Sequence, residues 1–505
     1  PGPHRTRALI ALFAATKLLL HVLVLRPYGY FRDELYYLAC ADHLAWGYVD
    51  HPPLSVAVLA AWKALFGDSI EAIRLVPALA GAGVVALTGR IVHQLGGEKI
   101  AVAIACTAVL FAPARLGTDH CYSMNTIDAL LWVGAATLAL DTTNVGGTRR
   151  WLALGAVLGL GLLNKWSIFW LGFGLGVGLL VTELRGALRS RGPYLAALIA
   201  VLVAAPSFVW QAQNHWPTLE FMKSAMEHKY VRPTPLAFAG ELALMINPAA
   251  ALVALVGLAG GLAGRAGKGG RLLACIALGA AVIVVGSRGK AEYLVAATPL
   301  VFAPGAVTCE RWLGTRRWLG AVIAAVVALV ALPAFPFALP ILPVESFIAY
   351  QARLGIEPRS AEKKQLGALP QSYADMHGWP ELVDAAARAY DTLSPEEKAE
   401  APIWALTGGY GPAAAIDVLG KRRGLPRAIS GHNNYWLWGY GADRPAAVII
   451  LGDHPRLHEL FEELTPIMRV DCGFCMPYEN DKPVYVGRKM RAPFSAFWAD
   501  VKHYE

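Results

Sequence analysis

Charge is scarce in this chain. Only 16% of its 505 residues are Asp, Glu, Lys or Arg, against 56% hydrophobic ones, and the mean hydropathy is +0.43. Average globular chains carry about 25% charge, so this composition excludes a soluble enzyme. Cysteines are few and scattered: seven in all, an odd total that leaves at least one thiol unpaired. Cys106, Cys275 and Cys309 lie in or beside apolar runs and read as packing residues. Cys472 and Cys475 alone stand close together, at the spacing of a short structural disulfide. Internal repeats, low-complexity tracts and basic patches with interleaved aromatics are lacking, so the net charge of +8 does not mark a nucleic-acid binder. No small-residue cleavage site follows the first apolar run, which reads as a retained helix.

Long apolar runs are abundant instead. They fall at 7–26, 70–93, 99–114, 127–141, 151–164, 166–183, 193–211, 248–264, 271–286, 291–308 and 318–341. Runs of this kind predict an α-helical polytopic membrane protein with about eleven crossings. Residues 54–66 are apolar but short and carry Lys63, which predicts a re-entrant or interfacial helix. Basic residues set the orientation. With Arg5 and Arg7 cytoplasmic, every alternate loop is basic, as at Arg149–Arg150 and Arg316–Arg317. The loops 27–53, 115–126, 212–247 and 287–290 then face outward, as does everything from 343 onward. That last region is more polar and mixes helix-like pieces (380–390, 412–422, 455–463) with strand-like ones (402–406, 446–451, 483–487). The chain therefore divides into a membrane domain, 1–342, and an extracytoplasmic soluble α/β domain, 343–505.

The polar residues that membrane logic leaves unexplained gather on the outer side. Ionisable groups at membrane level are costly and mark function. Asp33 and Glu34 open an amphipathic stretch after the first run, where a carboxylate suits general-base work on a hydroxyl. Asp50 precedes His51-Pro52-Pro53, a rigid turn, and a carboxylate with an imidazole suits a divalent metal. Asp128 begins a span, where the helix dipole also accounts for it. Lys165, Arg288 and Lys290 are outward cations against the charge rule, and Tyr293 adds a hydroxyl. Glu227, His228 and Lys229 share a short amphipathic piece. Outward cations suit a lipid-linked phosphate, and a nearby acid suits an acceptor alcohol. Together they fit glycosyl transfer from a polyprenyl-phosphate sugar, which needs a base behind the nucleophile and charge at the departing phosphate. No nucleotide cofactor is called for.

In order, FRDELYY, GYVDHPPLSV, NTIDALLW, GLGLLNKWSIFW and GSRGKAEYLVAATPL resemble glycosyltransferase family 39 of the GT-C superfamily, over residues 7–310. That family includes protein O-mannosyltransferases and the aminoarabinose transferases of lipid A, and this chain is most similar to a bacterial subgroup. The resemblance implies about 11–13 spans and candidate catalytic acids Asp33, Glu34 and Asp128, with Asp33 as the base. It implies donor-phosphate contacts at Lys165, Lys290 and Tyr293, to which Lys229 and Arg288 are added by their charge, and a metal at Asp50 and His228. A glutamate occupies the Asp50 position in the aminoarabinose transferases.

In the outer domain, SGHNNYWLWGY places Asn433, Tyr435 and Trp436 where aromatic faces and amides suit sugar contact, or equally interfacial packing. GGYGP (408–412) reads as a strand–helix turn. The expected enzyme is a plasma-membrane transferase moving a hexose or pentose from a polyprenyl-phosphate donor to a lipid, polysaccharide or protein hydroxyl, with inversion. A flippase for a lipid-linked glycan is the alternative, and there the charges belong on several helices within the membrane.

Overall fold

The computed structural model describes residues 3–145, 147–231, 233–358, 360 and 362–505. Helices occupy every predicted span: Pro3–Val22, Ile70–Gln94, Lys99–Leu110, Met124–Val145, Thr148–Leu162, Ile168–Val181, Gly192–Gln213, Pro248–Leu262, Gly267–Gly286, Pro299–Leu313 and Arg317–Ala331. By length and composition four of the helical segments are able to cross a membrane, or up to seven if each bent pair counts as one span. The helices differ in length for a local reason. Several runs are cut by proline or by a polar turn, so they fold as helices of 12 to 15 residues. The run expected at 291–308 is one example: Ala291–Ala297 is a 3-10 helix and the α-helix starts only at Pro299, whose fixed φ suits a first turn. Residues 54–66 form the expected short helix, Leu54–Phe66.

The membrane helices close around one apolar core that includes Val84, Trp132, Leu272 and Phe302. Two helices, Pro248–Leu262 and Pro299–Leu313, touch backbone to backbone. A Cβ on Gly257 would collide with the Val301 carbonyl, and one on Gly305 with the Val253 carbonyl. Charges inside this body are neutralised in place. Lys17, fully buried in the first helix, lies 2.9 Å from Asp119, which also binds Arg115 at 2.5 Å.

The C-terminal α/β domain carries a five-stranded sheet. Its strands are β1 (Ile403–Ala405), β2 (Ala428–Ile429), β3 (Ala447–Leu451), β4 (Phe461–Val470) and β5 (Lys482–Met490), in the order β2-β1-β3-β5-β4. β1 is parallel to β2 and β3, while β5 runs antiparallel to both β3 and β4. β3 reads AVIIL because both of its faces are covered. Alternate residues go to opposite cores: Val448 and Ile450 to one with Trp404, Phe494 and Trp498, and Ile449 and Leu451 to another. Strands expected at 402–406, 446–451 and 483–487 are present. The expected helix 455–463 is only Leu457–Leu460, because Phe461 already enters β4. Cys472 and Cys475 are disulfide-bonded.

The second core crosses between the two parts of the chain. It unites Leu35, Tyr36 and Leu38 of helix Arg32–Ala41, in the first long loop, with Ala386, Ile416 and Ile449 of the C-terminal domain. The first loop is thus built into that domain, and this sets where its acids point. One expectation follows for the membrane body. Gly257→Val should lower the thermal unfolding temperature of the detergent-solubilised protein, with an overpacking cost of roughly 1–3 kcal/mol or more. Gly172→Val, where an added Cβ meets nothing within 4 Å, should leave it unchanged.

Candidate active site

Helix Arg32–Ala41 begins with its two acids in different surroundings. Glu34 is fully buried. Its carboxylate accepts from the Phe31 amide at 2.9 Å, from the Tyr122 amide at 2.9 Å, and from Arg74 Nη2 at 2.9 Å and Nε at 3.1 Å. These donors fill its lone pairs, so Glu34 is an anchor and is withdrawn as a catalytic acid. The anchor fixes the rotation of the helix, and its neighbour, about 100° round the axis, faces elsewhere. Asp33 is about one-third exposed and lines a cavity of about 720 Å³ with Thr118, His120, Ser123, Asn125 and Glu292. The Tyr410 hydroxyl, from the C-terminal domain, donates to Asp33 Oδ1 at 2.7 Å, and Arg32 Nε lies 3.5 Å away. Asp33 Oδ2 has no hydrogen bond among the described residues.

Thr118, Asn125 and Glu292 also wall a smaller compartment of about 70 Å³ containing Arg115, Asp128, Lys165 and Tyr293. Lys165 Nζ donates to Asn125 Oδ1 at 2.7 Å and sits 5.3 Å from the Tyr293 ring centre. Asp128 is buried and accepts from Ser167 Oγ at 2.7 Å. Asp33, Asp128, Lys165 and Tyr293, far apart in sequence, therefore border two compartments with shared walls. Lys290 joins them less directly, 3.9 Å from Glu292 and 3.8 Å from the centre of the Tyr230 ring.

Two other cations go elsewhere. Lys229 pairs with Glu362 at 3.6 Å and lines a third cavity, on the C-terminal domain. Arg288 is exposed at φ 55° and lines none of the three.

The metal assignment does not fit. Asp50 accepts from the Tyr36 hydroxyl at 3.1 Å, Asn434 Nδ2 at 3.3 Å and Asn433 Nδ2 at 3.4 Å. Two of these donors share Oδ1 and the third reaches Oδ2, so the carboxylate is held in the joint between the first loop and the C-terminal domain. Burial pushes the Asp50 carboxyl above its ordinary value, only partly opposed by His51. His228 is exposed, its ring 3.2 Å from the Ser224 carbonyl, and shares no contact with Asp50. Among the described residues no three His, Cys, Asp or Glu side chains converge as ligands.

The acceptor assignment in 433–436 is also corrected. Tyr435 is fully buried and donates to Asp417 at 2.9 Å, while the Trp436 indole donates to the Trp498 carbonyl and the Trp498 indole to the Trp436 carbonyl inside the domain. Asn433 and Asn434 hold the first loop, the latter through the Val49 amide at 2.9 Å.

Sequence reasoning missed Arg74, Arg32, Tyr36 and Tyr410. A signal existed for Arg74: an arginine within an apolar run needs a buried partner. None existed for Tyr410, whose partner lies 377 residues away. Asp375 was missed as well. It stands 3.5 Å behind Arg32, and burial pushes its carboxyl up to about 6 against the pull of Arg32. A raised folded value means that native protein binds the proton first. Stability should therefore fall as pH rises from 4 to 6, by roughly 3 kcal/mol. Asp375→Asn should remove that slope from unfolding curves recorded across this window, and an unchanged slope would refute the assignment.

Residues 50–210 match the family model described as dolichyl-phosphate-mannose-protein mannosyltransferase. A curated relative, the undecaprenyl phosphate-alpha-4-amino-4-deoxy-L-arabinose arabinosyl transferase 1 of Pseudomonas fluorescens, is 26% identical over 209 residues. That match takes in 40% of this chain and little more than a third, 36%, of the relative. ArnT from Cupriavidus metallidurans, solved with undecaprenyl phosphate, superposes with a TM-score of 0.59 at 16% identity, covering 94% of this chain and 97% of that one. The Archaeoglobus fulgidus oligosaccharyltransferase, solved with zinc and sulfate, gives 0.50 at 12% identity, covering 82% and 61%. At such identities the structural likeness establishes the fold.

Proposed function

We propose that the chain is a membrane glycosyltransferase of the GT-C superfamily, and that it transfers a sugar from a polyprenyl phosphate to a hydroxyl on the outer side of the plasma membrane. The observation that carries this reading is the placement of the Asp33 carboxylate in a cavity that shares its wall with the Lys165 and Tyr293 compartment. Asp33 is the base. Tyr410 holds Oδ1, which leaves Oδ2 to take the acceptor's proton. As the O–H bond breaks, the acceptor oxygen bonds to the anomeric carbon from the face opposite the phosphate. The carbon–oxygen bond to phosphate breaks, its electron pair leaves with the phosphate, and the anomeric configuration inverts. Lys165 supplies the charge that stabilises the departing phosphate. The donor brings its own phosphate, so no nucleotide takes part, and no step runs through a metal.

The curated relative is an undecaprenyl phosphate-alpha-4-amino-4-deoxy-L-arabinose arabinosyl transferase, and the ArnT structure holds undecaprenyl phosphate. Both support a lipid-linked donor here. The boundary at 342/343 then separates a donor-binding membrane domain from a C-terminal domain that completes the site through Tyr410.

Asp33→Asn should keep the fold and cut transfer from the lipid-linked donor by roughly 10²–10⁴-fold. A folded Asp33→Asn protein that transfers at the wild-type rate would exclude the base. Lys165→Met should weaken retention of undecaprenyl phosphate in a lipid-binding assay, and undiminished binding would exclude its phosphate role.

A further inference from the structure

The third cavity lies on the far side of Tyr410 from Asp33. It has a volume of about 590 Å³ and is walled by both the first loop and the C-terminal domain. Its lining is lopsided in charge. Arg32, Lys229 and Lys364 face it with two imidazoles, His432 and His503, while among the described residues Glu505 is the one carboxylate in its lining and is taken by His503 at 2.8 Å. The acids that offset these cations stand behind the wall: Asp375 at 3.5 Å from Arg32, and Glu362 at 3.6 Å from Lys229 and 3.4 Å from Lys364. Burial alone would raise Glu362, but Lys229, Arg32 and Lys364 hold it down at about 2. His432 is pushed well below its ordinary value, first by burial and then by His503, Lys229, Arg32 and Lys364. Arg32 is 7% exposed, and its Nε makes no hydrogen bond but lies 3.5 Å from the Asp33 carboxylate.

Aromatic faces complete the wall. Trp404, Tyr410 and Tyr478 line it, with Lys364 5.0 Å from the Tyr478 ring centre and Arg32 bonded to the Tyr478 hydroxyl at 3.1 Å. Gly408 and Gly409, at φ 87° and 76°, carry the backbone along the floor, where a Cβ would strike the paired Glu479 and Lys482 or the His432 ring. Buried and half-buried cations beside aromatic rings suit an acidic sugar: rings stack on the saccharide and the cations take its phosphate or carboxylate.

We propose that this cavity is an acceptor subsite, and that it takes a saccharide bearing an anionic group distinct from the hydroxyl that reacts. The proposal rests on the transferase reading above. The anionic end is held by Arg32, Lys229 and Lys364. Arg32 and Tyr410 line this cavity and both contact Asp33, so the subsite adjoins the base, and the acceptor's hydroxyl end extends past these two side chains toward it.

The test uses the full chain in detergent and follows tryptophan fluorescence, since Trp404 lies in the wall. Glucose 6-phosphate, glucuronate, glucose and inorganic phosphate are titrated separately. The proposal expects saturable binding of at least one anionic sugar, about tenfold tighter than glucose and than phosphate alone. Whichever anionic sugar binds tighter identifies the group as phosphate or carboxylate. Lys364→Ala and Lys229→Ala should each weaken that binding about tenfold. Lys421→Ala, an exposed pairing with Asp42 outside the cavity, should not. Equal binding of glucose, or unchanged binding in both cavity variants, overturns the proposal. The two readings fail separately. A protein that binds the anionic sugar but transfers nothing from a lipid-linked donor overturns the function and leaves the cavity. One that transfers but binds glucose and anionic sugars alike overturns the cavity alone.

Discussion

The buried pair of Arg74 and Glu34 is the interaction on which the site depends. Arg74 rises from the longest membrane helix and has no exposed surface. Besides Glu34 it donates to the Leu25 carbonyl at 2.9 Å and the Gly29 carbonyl at 2.8 Å, and lies 3.3 Å from His120 Nε2. One guanidinium therefore gathers the chain leaving the first helix, the start of helix Arg32–Ala41 and the 119–122 turn. Such a pair is expensive to desolvate, and removing one partner strands a buried charge at a cost of roughly 3–5 kcal/mol. Its return is geometric. With Glu34 held inward, Asp33 faces the cavity.

The second constraint is the fusion of the first loop with the C-terminal domain. Tyr36 stacks on Tyr410 with ring centres 4.3 Å apart, and its hydroxyl receives Asn434 Nδ2 at 2.5 Å. Asp50 closes the same knot. The C-terminal domain is consequently part of the site: its Tyr410 sets one oxygen of Asp33, and its floor makes the neighbouring cavity. Charge that looks surplus in the sequence is mostly absorbed in such joints. Asp42 pairs with Lys63 at 2.7 Å, and His43 stacks on Trp438 at 4.2 Å.

Much of this was legible in the sequence, and the remainder was not for identifiable reasons. Apolar run length located each membrane helix, but proline and polar breaks shortened several of them. Asp33, Asp50, Asp128, Lys165, His228, Lys229, Arg288 and Lys290 stand out together in the sequence because each is ionisable at an outward-facing position where a bilayer penalises charge. That logic does not distinguish an acid that serves chemistry from one that serves a fold. Glu34 was grouped with Asp33 although a one-residue step around a helix separates a cavity from a buried guanidinium. Asp50 read as a metal ligand because its amide partners lie some 380 residues later. Asn433, Tyr435 and Trp436 carry sugar-binding chemistry in composition, yet their side chains face Asp50, Asp417 and Trp498. Tertiary pairing over that separation leaves no mark on local sequence.

Hydrogen exchange on the Arg74→Met protein tests the central dependence most directly. The account predicts that amides of 33–41 exchange at least about tenfold faster than in the unaltered protein, while those of Gly267–Gly286 hold their protection and sugar transfer is lost with the loop. Unchanged protection across 33–41 in Arg74→Met would contradict it.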